Sequence, residues 1–153
     1  MTVQAIAAAR SRVVVTANPD IHTLNIGITP TIGGGTTPFR SRTSDSTTFD
    51  FDTAGLLRNI EVQISSRTTT RCSIRPLHAA DGYYVIAMTD DEWPVWDERL
   101  LYDEENRIAY LTFSGELLPA SIHLMSDELG VGITKTGVLS SVWLFDVSLA
   151  EFL

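Results

Sequence analysis

The chain has 153 residues, of which 44% are hydrophobic, and is long enough to bury the core of one domain. It has no apolar run near the roughly 20 residues that span a bilayer, and its single cysteine, Cys72, excludes an intrachain disulfide and a multi-cysteine metal site. Its formal net charge of −8 disfavours binding to nucleic acid or anionic lipid and favours basic partners.

The charge is unevenly distributed along the chain. Residues 1–78 carry 8 basic and 5 acidic side chains, whereas residues 79–153 carry 3 basic and 14 acidic ones. The excess is concentrated in TDDEWPVWDERLLYDEEN, residues 89–106, which contains eight carboxylates, one arginine and two tryptophans. The amino terminus has no basic segment before its Ala-rich patch, so we expect no secretory signal and a cytoplasmic location.

In chain order, the sequence patterns predict strands, hairpins and little helix. The Ala-rich residues 2–10 favour a short helix, and IEVQIS, residues 60–65, alternates between apolar and polar side chains as a strand does. RCSIRPL and GYYVIAMT predict two strands joined at Asp81-Gly82, which makes residues 70–90 a connecting hairpin. A second short helix is expected within DEWPVWDERLL, residues 91–101. SVWLFDV is apolar on nearly both faces, which indicates a central strand.

Two pairs of segments share their patterning. NPDIHTLNIGIT at 18–29 resembles DEENRIAYLTFS at 103–114, and FDFDTAGLLRNIEVQIS at 49–65 resembles VGITKTGVLSSVWLFDV at 131–147. The latter pair aligns on Gly55 and Gly137, where each hairpin requires a positive φ. We interpret the pattern as a tandem duplication of one β-rich unit; chance similarity between short hairpins is the alternative.

These patterns predict a single compact domain over residues 1–153. Unit one spans about 11–66, the connecting hairpin 70–90 and unit two about 99–149. The expected fold is mainly β, a β-sandwich or barrel-like structure of two similar antiparallel β units with one or two short helices.

The repeated segments also carry a family resemblance. YDEENRIAYLTFSG, followed by VGITKTGVLSSVWLFDVS, is similar to small bacterial β-domains of unknown function, whose pattern is an opening Tyr-Asp, an aromatic-aliphatic strand and an Asp-x-x-Gly hairpin. Tyr102 and Asp103 match the opening, and Asp52 with Gly55 matches the hairpin in unit one. In unit two Thr134 stands at the Asp position. The resemblance implies a fold and no activity.

The residues from Asp50 to Glu61 match part of an EF-hand calcium loop, with acids at positions 1, 3 and 12 and Gly55 at position 6. Position 5 is Ala54, and the flanking segments alternate like strands, whereas an EF-hand needs a helix on each side. A β-hairpin with charged edges explains the same residues. We therefore predict no metal and no cofactor.

No specific enzymatic signature is present. IGGGTTP lacks the Gly-Lys-Ser/Thr of a phosphate loop, and no Gly-x-Ser-x-Gly elbow occurs. His22, His78 and His123 are isolated in the sequence, and Cys72, between two arginines, is interpreted as a half-buried structural thiol. We expect no catalytic residues and no enzymatic activity.

The acidic stretch at 89–106 allows two interpretations. In the structural one, both tryptophans pack in the core and the carboxylates face solvent. In the functional one, aromatic anchors rimmed by carboxylates form a protein-docking surface that steers a basic partner. The predicted partner-binding residues are Asp90, Asp91, Glu92, Trp93, Trp96, Asp97, Glu98, Asp103, Glu104 and Glu105.

These features favour a non-enzymatic inhibitor that binds a basic protein. Its best concrete form is a bacterial immunity protein or antitoxin that neutralises a basic toxin domain, as a monomer or small homo-oligomer with no nucleic-acid or membrane partner. Two alternatives stay open at this stage. One is a structural or assembly subunit that oligomerises through β edges, and the other is an enzyme or small-molecule binder with a cleft between the units.

Overall fold

The chain folds into a mainly β, sandwich-like structure of antiparallel sheets, and its described residues include two short 3-10 helices. This computed structural model describes residues 1–33, 40–43, 46–65, 69–75, 78–90, 92, 98–113 and 121–153. The strands are β1 (Thr2–Ala8), β2 (Arg12–Asn18), β3 (Thr23–Thr29), β4 (Arg40–Thr43), β5 (Thr47–Phe51), β6 (Leu57–Gln63), β7 (Thr69–Arg71), β8 (Tyr83–Asp90), β9 (Arg99–Asp103), β10 (Ile108–Thr112), β11 (Ser121–Leu124), β12 (Leu129–Ile133) and β13 (Leu139–Phe145). The 3-10 helices are Pro19–Ile21 and Ala150–Phe152.

Two sheets of similar topology form the sandwich. The first sheet has the order β2-β3-β6-β5-β4, and the second has the order β9-β10-β13-β12-β11 with β7 added beside β9. β7 pairs with β9 in parallel, and the other pairings within these sheets are antiparallel. The central strands β6 and β13 therefore occupy equivalent places.

The two sheets also share their register. Leu24 lies opposite Val62 in the first sheet, and Ala109 lies opposite Leu144 in the second. The hairpin turns agree as well: Gly55 and Gly137 both have φ of 82°, and the amide of each donates to the carbonyl three residues earlier. Tandem duplication stays our interpretation of this repeated geometry.

The third sheet is a two-stranded ribbon that links the two halves. β1 precedes the first sheet and β8 precedes the second, and the two strands pair with each other. The amide of Val3 in β1 donates to the Gly137 carbonyl at 2.9 Å, and the amide of Met88 in β8 donates to the Gly55 carbonyl at 2.8 Å. Each strand of the ribbon therefore contacts the hairpin turn of the opposite half.

The core lies between the two sheets. Alternation in β6 buries Ile60 and Val62 and exposes Glu61 and Gln63, as the sequence predicts. Their counterparts on β13 are buried too, and β13 is buried on both faces over most of its length. The rings of Phe49 and Phe113 meet edge to face across the core with centroids 5.4 Å apart.

The outer face of the second sheet carries a second apolar cluster. Trp143 and Tyr110 stack there with ring centroids 4.1 Å apart, and Ile74 packs on the same cluster. Ile74 comes from the segment that follows β7, and this segment also carries Ala79, which bridges to Ile122. The burial of β13 on both faces thus depends on a chain segment laid over the sheet.

The structure corrects two expectations, and a third lies largely outside the residues that it describes. Residues 2–8 form β1 and not a helix, because pairing with β8 and burial of Val3 outweigh the weak helical propensity of the alanines. Residues 70–90 do not form a hairpin, since β7 pairs with β9 and β8 pairs with β1. Within 91–101, residues 99–101 belong to β9, and residues 91 and 93–97 lie outside the described part of the chain.

We predict that Gly55→Ala and Gly137→Ala each lower the free energy of unfolding by about 1–2 kcal/mol, because a Cβ is strained at positive φ. The added Cβ would also lie within 3.5–3.6 Å of a carbonyl oxygen of the β1–β8 ribbon. Denaturant titration measures the change. Gly33→Ala is the matched control, because its Cβ would meet nothing within 4 Å. Equal free energies of unfolding for all three variants would contradict the strain expected from a Cβ at Gly55 and Gly137.

Candidate interaction surface

The structure places six of the ten predicted binding residues. Asp91, Trp93, Trp96 and Asp97 lie outside the described residues. The six that are described do not form one uniform acidic face. They divide into exposed carboxylates and carboxylates that hold the fold together.

Asp90 and Glu92 are exposed at the end of β8. A carboxylate oxygen of Asp90 accepts a hydrogen bond of 3.0 Å from the Glu92 amide, which forms a local turn. Both carboxylates lie near the amino terminus. Burial lowers the pKa of the Met1 amine, and the negative charges of Asp90 and Glu92 oppose that shift. This group of acids is accessible to a partner.

Glu98 is half-buried and connects the two sheets. Its Oε2 accepts hydrogen bonds from the Ser46 amide at 3.3 Å, from the Ser46 hydroxyl and from the Thr47 hydroxyl at 3.2 Å. Ser46 and Thr47 stand at the start of β5 in the first sheet, while Glu98 precedes β9 in the second. The structure therefore gives Glu98 an internal, structural role and removes it from the predicted docking surface.

Asp103 is buried, contrary to its predicted place on the surface, with 3% of its area exposed. Its Oδ2 accepts from the Ile74 amide and the Asn106 side chain, both at 2.9 Å, and its Oδ1 accepts from the Asn106 amide at 3.1 Å. The Asn106 side chain first, and then the amides of Ile74 and Asn106, lower the pKa of this carboxyl. Asp103 thus ties the β9–β10 turn to the segment that covers the second sheet.

Glu104 and Glu105 are exposed beyond the far end of β9. Glu104 lies 3.5 Å from the Arg71 guanidinium, and both side chains are more than half exposed, so this ion pair contributes little to stability. At about 3.3 Å per residue, β9 separates Glu104 from Glu98 by roughly 20 Å. The four exposed acids of the predicted set stand at two places along the chain, Asp90 with Glu92 at the end of β8 and Glu104 with Glu105 after β9.

One polar cluster has no signal in the sequence. Asp127, in the β11–β12 turn, accepts hydrogen bonds from the Tyr83 hydroxyl and from Arg10 at 2.9 Å. The Tyr83 hydrogen bond lowers the pKa of Asp127, with a smaller contribution from Arg10, and the same bond raises the pKa of Tyr83. Tyr83 and Arg10 are 44 and 117 positions from Asp127 in the sequence, so their spacing does not predict that the three side chains meet.

The motifs considered for other chemistry have structural explanations. In the segment that resembles an EF-hand, Asp52 is buried and accepts from the amides of Ala54 and Leu56 at 2.9 and 3.0 Å, and it pairs with Arg58 at 3.2 Å. This is a β-hairpin turn between β5 and β6. Cys72 is exposed, so its expected half-burial is wrong.

His123 on β11 is packed more closely than an isolated surface imidazole. Burial lowers its pKa, its ring meets Tyr84 edge to face at 4.8 Å, and its Nδ1 lies 3.5 Å from the Ser121 hydroxyl. Within the described part of the chain, no group of three or more His, Cys, Asp or Glu residues could hold a metal ion.

The space between the two sheets contains a cavity of about 10 Å³, lined by apolar side chains such as Ile26, Leu111 and Leu149. A volume of this size barely admits one water, and the lining offers it no polar partners. The cavity is therefore a packing void and cannot hold a metabolite.

No protein-family model matches the chain, and no curated protein matches it with significance. Among the described residues, no helix has the length and apolar character needed to cross a membrane. Interpretation of the exposed acidic groups therefore depends on their charge and position.

We predict that Asp103→Asn destabilises the fold at neutral pH, because the new amide group would face amide donors where the carboxylate accepts. A lowered pKa in the folded state means that the carboxylate stabilises the fold above its unfolded pKa of about 3.9 and loses this effect as pH falls through the folded value. The stability difference between wild type and Asp103→Asn should therefore shrink below about pH 4.

Urea denaturation between neutral pH and pH 3 measures this difference. Glu105→Gln is the control, because it removes an exposed carboxylate from the same turn and should change the stability little. A constant difference at every pH would contradict the role assigned to Asp103.

Proposed function

We propose that this chain is a non-enzymatic inhibitor that binds a basic protein in the cytoplasm, in the manner of a bacterial immunity protein or antitoxin against a toxin domain. The observation that carries the proposal is the concentration of negative charge in residues 79–153, where 14 acids face 3 bases. Asp90, Glu92, Glu104 and Glu105 are the predicted binding acids that stand exposed on this half.

The physical basis is electrostatic steering. A surface of one sign raises the local concentration of an oppositely charged partner and speeds encounter, while it repels nucleic acid and other anions. If the partner is a nuclease, its basic cleft is built to receive phosphates, and exposed carboxylates can occupy the same positions. An inhibitor of this kind needs charge in the correct place and no reactive group.

The interior of the fold supports a surface function. The apolar cavity between the sheets is too small for a substrate, and Asp52, Glu98 and Asp103 use their carboxylates for hydrogen bonds within the chain. Acids committed to such bonds are poor candidates for proton transfer to a ligand. These observations favour binding through exposed residues over chemistry in a cleft.

The aromatic part of the proposed surface is Trp93 and Trp96, beside Asp91 and Asp97. In the proposal they anchor the partner after the carboxylates have steered it, because buried aromatic contacts contribute most to slow dissociation. Glu98 and Asp103 take no direct part. Their role is to hold the start and the end of β9, and Glu104 with Glu105 directly follows its end.

The test takes as partner the protein encoded next to the gene of this chain, which the proposal expects to carry a basic domain. We expect the pair Asp90→Asn with Glu92→Gln, and separately the pair Glu104→Gln with Glu105→Gln, to lower the association rate about 3- to 10-fold at low salt. Stopped-flow or surface-binding kinetics at about 20 mM and 500 mM salt measure the effect, which should vanish at high salt because ions screen it.

The matched control is Asp20→Asn with Glu61→Gln, which removes two exposed carboxylates from the first half of the chain. This control should leave the association rate within about twofold of wild type. Failure of the neighbouring domain to bind, or equal salt dependence in all three double variants, would overturn the proposal.

A further inference from the structure

Among the described residues, two of the exposed large hydrophobic side chains lie on the edge strand of the first sheet. Val14 and Val15 are 49% and 37% exposed on β2, and Ile21 is 64% exposed in the turn between β2 and β3. Ile32, three residues after β3, is 37% exposed. β2 is the edge strand of its sheet, and in the described part of the chain no strand pairs with its outer side. A long apolar edge strand of this kind readily accepts another strand.

The second sheet shows what occupies the equivalent edge. At the offset that relates Leu24 to Ala109, Val15 and Ala17 of β2 correspond to Leu100 and Tyr102 of β9. There β7 pairs with β9, and Leu100 and Tyr102 are only 7% and 2% exposed. The Leu149 amide of the carboxyl-terminal segment also donates to the Tyr102 hydroxyl at 3.2 Å. As far as the described residues go, the same position is thus covered in the second sheet and open in the first.

The backbone of β2 is oriented to accept a strand. The Tyr102 carbonyl accepts from the Cys72 amide at 3.0 Å, so it points toward the β7 side. The equivalent residue, Ala17, and the alternate residues Val15 and Val13 therefore direct their amide and carbonyl groups away from β3. The side chains of these three residues also lie on the core-facing side of the sheet. Their partners on β3 are Ile28 for Val13, Ile26 for Val15 and Leu24 for Ala17.

We propose that β2 pairs with β2 of a second copy of this chain to form a two-fold symmetric dimer. In an antiparallel pairing centred on Val15, Val15 lies opposite its own symmetry mate and Val13 lies opposite Ala17 of the second copy. All three residues stay on the core-facing side, so apolar groups meet apolar groups. On the other side Val14 faces Thr16 and Arg12 faces Asn18, which avoids contact between like charges.

The charge distribution agrees with this pairing. The first half of the chain, which contains β2, has a small positive balance of 8 bases against 5 acids, whereas the second half is strongly negative. Joining two copies at β2 brings the weakly charged halves together and leaves the acidic halves at the outer ends. The dimer is closed, because the two-fold axis pairs β2 with β2 and each copy uses this strand once.

This pairing is independent of the proposed inhibitor function, because it uses β2 in the positively charged half of the chain and none of the exposed acids. Loss of dimerisation should leave partner binding intact, and loss of the exposed acids should leave the dimer intact. The two proposals can therefore fail separately.

Sedimentation or light scattering of the intact chain tests the dimer. We expect wild type to have twice the mass of the 16.8-kDa chain at micromolar concentration. Val15→Lys should raise the dissociation constant at least tenfold, because two lysines would face each other, and Val15→Glu should do the same. An equimolar mixture of the two variants should restore the dimer, because each lysine then meets a glutamate.

Gln63→Lys is the matched control, because it adds the same charge at an exposed position on β6, away from the β2 edge. It should leave the mass unchanged. A monomeric wild type at about 100 μM, or a Val15→Lys variant that stays as dimeric as wild type, would overturn the proposal.

If the charged variants do not fold, disulfide cross-linking between two copies tests the pairing. The cysteines are introduced in a Cys72→Ser background. Val14 and Thr16 of the second copy would form a pair without mutual hydrogen bonds, with Cα atoms about 4.5 Å apart, which suits a disulfide. A mixture of Val14→Cys and Thr16→Cys should therefore cross-link faster than either variant alone, whose own cysteines would lie diagonally at about 7–8 Å. Equal rates in all three samples would overturn the pairing.

Discussion

The contact between the two halves of the molecule depends on the pairing of β1 with β8. Each strand precedes one sheet and contacts the hairpin turn of the other, through the hydrogen bonds from Val3 to Gly137 and from Met88 to Gly55. Because an isolated two-stranded ribbon is marginal, β1 and β8 rely on their contacts with the two turns and on the burial of side chains such as Val3 and Ile86. The positive φ of Gly55 and Gly137 is therefore part of the contact that joins the halves.

The carboxylates of the acidic stretch serve two physical purposes. Asp103 and Glu98 accept several hydrogen bonds each, and so they fix the turn after β9 and the link from β9 to β5. Asp90, Glu92 and Glu105 are exposed, and their charge acts on whatever approaches from solvent. Net charge alone therefore overstates the negative charge on the surface, because some of the carboxylates accept hydrogen bonds inside the fold.

The two sheets differ most in what covers their edges. In the second sheet β7 pairs with β9, and Leu100 and Tyr102 are buried. In the first sheet no strand of the described residues pairs with the outer side of β2, and Val15 stays exposed at the position that corresponds to Leu100. Among the described residues, β2 of the first sheet lacks an outer partner strand, whereas β9 of the second sheet has one. The proposed dimer follows from this difference.

The sequence by itself determined the local features of this protein: the alternation that buries Ile60 and Val62, the turns at Gly55 and Gly137, and the β class of the fold. These features depend on a residue and its near neighbours, so a short window contains the needed information. Only the tertiary structure decided that β1 is a strand and that Asp103 is buried. Those outcomes depend on partners such as β8 and Ile74, which are distant in the chain, and side-chain spacing does not encode which distant segments meet.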